Sequence, residues 1–196
     1  MLMKKSVMAI GLLFCTLLVQ SVTVAKADAT TEEALWEVLR AKTHFAMIRH
    51  ALAPGTGDPA NFVLDRRETQ RNLSEQGKEQ AQRIGELFRE NGIEAAAVYS
   101  SQWYRCSETA ELLDLGEVSP LADLNSFFRN NERRDPQTTA LTNWLSQLEM
   151  DKPLVLVTHQ VNITALTGFY PSSGEIVVVE RDPEAGMKVL GSIETE

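Results

Sequence analysis

The chain has 196 residues, 43% of them hydrophobic and 23% charged, with 11 Gly and 7 Pro. This is ordinary globular composition, and it excludes a disordered tail, a collagen-like fibre and a multi-span membrane protein. The 27 acidic groups outnumber the 19 basic ones, and the resulting net charge of −8 repels phosphate backbones and argues against nucleic acid as a partner.

Residues 1–27 read as a signal peptide. Lys4 and Lys5 give a positive start, an uncharged apolar run fills 6–25, and Ala25-Lys26-Ala27 supplies a small-x-small cleavage pattern. Gly, Ser, Thr and Gln dilute the run, which favours cleavage over a membrane anchor, so the membrane is a partner only if the segment stays uncut. The expected product is one domain, 28–196, periplasmic or otherwise exported. Cleavage removes three lysines and no acid, taking the net charge to −11. It also removes Cys15, leaving Cys106 without an intramolecular partner.

The Thr30–Glu33 pair has capping-box spacing and opens a short helix with Leu35, Val38 and Leu39 inward. His44 to Ile48 reads as a buried strand. Residues 51–72, with Pro54, Gly55, Gly57 and Pro59, show no period and form a long irregular loop of the kind that carries function. Ser74 caps a helix with Ala81, Ile84, Leu87 and Phe88 on one face, ended by Asn91-Gly92. A second strand covers Ala95 to Tyr99, and a helix lies around Glu108 to Leu115. Asp135-Pro136 starts another helix, with Leu141, Trp144, Leu145 and Leu148 at helical spacing. The apolar strand Leu154 to Val157 leads to a helix from Val161 to Gly168. Glu175–Glu180 and Met187–Ile193 are closing strands about a turn at Asp182-Pro183. The alternation predicts an α/β fold, a three-layer α/β/α sandwich whose mainly parallel sheet carries the closing strands at an edge.

In open α/β sheets, ligands bind beyond the carboxyl ends of the strands. Here the first strand runs into Arg49-His50, the second into Ser100-Ser101 with Arg105 close behind, and LVLVT into His159. Two Arg and two His at one sheet edge of an acidic chain suit a dianion. Arg matches phosphoryl oxygens with paired donors, a helix start favours the anion, and a neutral imidazole can act as nucleophile.

RHA at 49–51, SSQWYRCSETA at 100–110, VTH at 157–159 and RNLSEQG at 71–77 resemble the histidine phosphatase superfamily, or phosphoglycerate-mutase-like fold, in its small exported bacterial branch. The resemblance spans roughly residues 44–168. It implies a phosphomonoester hydrolase with His50 as the phospho-accepting nucleophile, Arg49, Arg105 and His159 as the phosphate pocket, and no metal or organic cofactor. It implies a small phosphorylated substrate or a phosphorylated envelope component. Asp123, in PLADLNSFF, falls about where the mutase-like branch carries its leaving-group acid. The phytase-like branch has Asp directly after the second His, where this chain has Gln160.

Other readings of the same residues remain open at this point. The pocket of a catalytically silent phosphate-ligand binding protein would carry the same four residues. His44, six residues before His50, shares its strand parity, and with His159 the pair would make a three-His metallohydrolase site. Cys106 lacks the Arg six residues on that a cysteine phosphatase needs, because Leu112 stands there, and so it reads as packing. Trp103 and Tyr104 are candidate pocket walls, and Phe127-Phe128 a candidate entrance. Arg66, Arg67 and Arg71 in the loop are candidates for steering an anion. The mixed cluster Arg129, Glu132, Arg133, Arg134 and Asp135 reads as a solvated face.

Overall fold

A computed structural model describes residues 30–182 and 186–195. The expected signal peptide, its cleavage point and most of the 182–183 turn lie outside them. Helix α1 spans Glu32–Arg40 and is capped by Thr31, whose side chain accepts from Ala34 N. The cap is one residue later than the Thr30–Glu33 spacing indicates, so no reciprocal capping box forms. Leu35, Trp36 and Leu39 are its buried residues, and Val38 packs half-buried against the same core as its spacing indicated.

Strand β1 covers His44–Arg49. The loop that follows contains one short 3-10 turn, Arg67–Thr69, and leads to α2, Glu75–Glu90, capped by Ser74 as expected. Strand β2 is Ala97–Ser100 and α3 is Tyr104–Leu112. The third helix therefore begins four residues before the expected Glu108, because Trp103 is an N-cap with no side-chain capping bond and leaves no sequence signal. A short β3, Val118–Pro120, was not anticipated. Then come α4 (Arg134–Gln147), β4 (Leu154–Thr158), α5 (Gln160–Thr167), β5 (Ile176–Asp182) and β6 (Gly186–Ile193).

The sheet order is β3-β2-β4-β1-β5-β6. The β3-β2, β2-β4 and β4-β1 pairs are parallel, and β5 and β6 add antiparallel at the C-terminal edge. Side chains alternate between the faces. Ala46 and Ile48 pack with α1, α2 and α3 on one side, while Phe45 and Met47 pack with α4 and α5 on the other. The result is the expected three-layer sandwich. Parallel pairing of β1 with β4, Arg49 opposite Thr158, brings their carboxyl ends side by side at the sheet centre.

Helix α2 lies against backbone through bare helix surface. A Cβ at Gly77 would stand 2.1 Å from the Leu52 carbonyl oxygen, and one at Gly85 would stand 2.0 Å from that of Leu113. Gln80, on the same helix, accepts from Leu52 N at 3.0 Å and donates to the carbonyls of Ser173 at 2.9 Å and Thr195 at 2.8 Å.

Candidate active site

Arg49 closes β1, His50 follows it, and His50 N donates to Thr158 O at 2.9 Å across the β1–β4 pair. His159 is the N-cap of α5, and Arg105 sits in the first turn of α3. Three separate strand-to-helix crossings thus deliver Arg49, His50, Arg105 and His159 to one cavity of about 280 Å³. The imidazoles of His50 and His159 meet edge to face, with ring centroids 5.6 Å apart. The four residues expected from the sequence are brought together.

The hydrogen bonds fix both tautomers. His50 Nδ1 lies 2.8 Å from the carbonyl oxygen of Ala51, an acceptor only, so Nδ1 carries the proton and Nε2 keeps its lone pair. Arg105 Nη2 lies 3.3 Å from His159 Nδ1; guanidinium only donates, so that nitrogen accepts and Nε2 is protonated. His159 Nε2 donates to Ser101 Oγ at 2.9 Å, which donates to Asn125 Oδ1 at 3.2 Å. Asn125 is held in turn by Gln102 N at 2.8 Å.

Burial pushes both imidazole pKa values well below 6.5, and the positive charge of Arg105 lowers them further. Both rings are neutral at pH 7. Arg105 Nε and Arg49 Nε are buried N–H donors without a partner among the described residues, and they suit an anionic ligand. Arg49 is anchored by donating from Nη1 to Pro171 O at 3.0 Å.

Asp58 is the residue at this site that sequence reasoning missed. Its carboxylate accepts from Arg105 Nη1 at 2.7 Å, Arg105 Nη2 at 3.2 Å, Trp103 Nε1 at 3.1 Å and Arg71 N at 3.3 Å. Burial raises its pKa, but the Arg105 guanidinium outweighs burial and holds the group below the usual carboxylate value. The only sequence signal was its place in the loop 51–72, which has no periodicity to assign orientations.

Arg71, from the same loop, lines the cavity and donates to the carbonyls of Gly57 and Ala53. Burial and the neighbouring Arg105 bring its pKa down to about 10. Arg67 is turned elsewhere, to Glu108 at 2.5 Å and over the Tyr104 ring, and neither Arg66 nor Arg67 lines the cavity. Trp103 forms a wall stacked on Phe62, while Tyr104 does not line it. At the mouth stand the exposed Phe128 and the arginines Arg129 and Arg133, two members of the cluster expected to be plain solvated surface.

Asp123 does not line the cavity; the 3-10 turn Ala122–Leu124 leaves it half-buried elsewhere. The three-His site does not assemble either. His44 starts β1 and His50 follows its end, so strand rise separates them by about 20 Å. His44 Nδ1 bonds Thr43 Oγ1 there. Cys106 is fully buried with its thiol pKa pushed up to about 12, consistent with packing.

Residues 45–127 match the sequence profile of the histidine phosphatase superfamily (branch 1). No curated protein matches the chain by sequence. Among solved structures, the protein histidine phosphatase SixA complexed with tungstate superposes with a TM-score of 0.53 at 16% identity, covering 77% of this chain and 96% of its own. A phosphoserine phosphatase from Entamoeba histolytica, in complex with 3-phosphoglyceric acid, gives 0.56 at 14% identity, covering 78% and 98%. A mycobacterial glucosyl-3-phosphoglycerate phosphatase gives 0.51 at 17%, covering 70% and 89%. At these identities the likeness is one of fold.

Proposed function

We propose that this chain is an exported phosphatase that hydrolyses small phosphomonoesters through a phosphohistidine on His50, without a metal. The family match and the phosphatase neighbours support the enzyme class. One observation carries the mechanism: a neutral His50 whose Nδ1 proton is committed to Ala51 O, leaving the Nε2 lone pair free in a cavity also lined by Arg49 and Arg105, whose Nε donors have no partner among the described residues.

In the first step Nε2 attacks phosphorus as the ester oxygen departs with its bonding pair and takes up a proton from water. Arg49, Arg105 and, after a change of hydrogen bond, His159 stabilise the equatorial oxygens. Water then attacks the phosphorus of phosphohistidine, breaking the P–N bond and releasing inorganic phosphate. Residues 1–27 support export, and the substrate is a small phosphorylated metabolite or envelope component.

The test is p-nitrophenyl phosphate hydrolysis with a chelator present, comparing the parent with His50→Ala. Turnover in the parent and none in the variant is the expected result. Phosphate binding without release, even from this activated ester, would make the chain a binding protein instead. Loss of activity with the chelator would overturn metal independence, and mass analysis of the exported protein tests the cut before Asp28.

A further inference from the structure

Arg105 is the most enclosed cation of the cavity, and the hydrogen-bonding capacity of its two terminal nitrogens is already spent. Its guanidinium offers four terminal N–H groups and one on Nε. The terminal nitrogens are engaged by Asp58 Oδ1 at 2.7 Å and Arg71 O at 3.4 Å on Nη1, and by Asp58 Oδ2 at 3.2 Å and His159 Nδ1 at 3.3 Å on Nη2. Among the described residues, only the Nε–H is left without a partner. The side chains of the Asp58–Arg105 pair are 11% and 3% exposed, so water screens the pair weakly.

We propose that the Asp58 carboxylate occupies the phosphoryl seat on Arg105 in the free protein, and that a phosphoryl group binds by exchanging with it. This rests on the cavity being a phosphate site. The two parallel N–H bonds that Asp58 receives are the fork by which guanidinium grips a phosphate, and one fork cannot serve two anions. Trp103 Nε1 at 3.1 Å and Arg71 N at 3.3 Å complete a ring of four donors around the two carboxylate oxygens, the surroundings of a bound oxyanion.

The exchange needs little movement. Arg129 donates to the carbonyls of Asp58 and Pro59, and Arg71 to those of Gly57 and Ala53, so the backbone on both sides of Asp58 is pinned. Rotation of the Asp58 side chain vacates the fork with the loop in place. Every phosphorylated ligand and the phosphate product bind more weakly than the arginines alone would allow, which favours product release.

The experiment is calorimetric titration of inorganic phosphate and of tungstate into the whole chain and into Asp58→Asn, which keeps the shape and removes the charge. Phosphate binding at least about 10-fold tighter in the variant is expected, the scale of one charge-assisted hydrogen bond. Equal or weaker binding in the variant overturns the proposal, because Asp58 would then serve to hold Arg105 in position. No binding of either anion to either protein would remove the phosphate site itself, and this inference with it. If Asp58→Asn fails to fold, a crystal structure of the parent with phosphate decides. Arg105 Nη1 and Nη2 on phosphate oxygens with Asp58 turned aside is the expected result, and an intact Asp58–Arg105 fork beside bound phosphate overturns it.

Discussion

His50 Nδ1 and the carbonyl oxygen of Ala51 lie 2.8 Å apart, and the neighbour's backbone thereby leaves the ring's lone pair on Nε2, the nitrogen that the proposed mechanism uses. In the proposed mechanism, removing the ring removes the phosphoryl acceptor. His50→Ala is expected to lower kcat for p-nitrophenyl phosphate by about 1,000-fold or more while circular dichroism stays native. Parent-level turnover in the variant would end the assignment.

Asp123 stands outside the cavity wall, so its charge has no route to the leaving oxygen. Asp123→Asn is expected to keep kcat within about 2-fold for p-nitrophenyl phosphate and for an alkyl phosphate, whose poorer leaving group exposes any missing acid. A selective loss with the alkyl ester would restore Asp123 as the proton donor.

His50 and His159 are buried and neutral, with pKa values well below the 6.5 of a free imidazole. In the unfolded chain both take up protons as pH falls through 6.5, and in the folded chain they resist. Their contribution to stability is therefore present above pH 6.5 and lost as pH falls below it. The thermal midpoint should fall from pH 7.5 to pH 5.5 more steeply in the parent than in His50→Gln. Equal slopes would contradict burial of a neutral His50.

Cys106 presents a fully buried thiol whose pKa burial lifts to about 12. The thiolate is the reactive form, so the native protein is expected to resist iodoacetamide at pH 8 and to react only on unfolding. Rapid native labelling with loss of activity would bring the thiol into the chemistry.

Gly85 lies where an added Cβ would stand 2.0 Å from the Leu113 carbonyl oxygen, closer than any packing contact permits. Gly85→Ala is expected to cost about 2–3 kcal/mol despite the better helix propensity of alanine, because α2 must be pushed off the α3 end. A urea midpoint at or above the parent's would show that the helix yields freely.

Much of this was legible because it rests on periodicity and on strand ends. The alternation of Phe45 and Met47 with Ala46 and Ile48, and the apolar LVLVT run, set the sheet and carried Arg49, His50 and His159 to its carboxyl edge. Asp58 was not legible, because the loop 51–72 has no repeating geometry and its contacts reach across to residues 71, 103 and 105. Asn125, and any role for Ser101 beyond its place at a strand end, escaped for a related reason: a hydroxyl and an amide that take up the Nε2–H of His159 in a hydrogen-bonded chain resemble ordinary loop polarity in sequence. Arg71 and Arg67 are four residues apart in one loop, and only tertiary packing separates the cavity arginine from the one salt-bridged to Glu108.

The amide of Gln80 joins stretches far apart in the chain, receiving from Leu52 N and donating to Ser173 O and Thr195 O. Leu52 is two residues past His50, so the segment at Thr195 is wired to the exit of β1 through a single side chain. A change that displaces the Thr195 carbonyl therefore acts on the backbone just beyond His50.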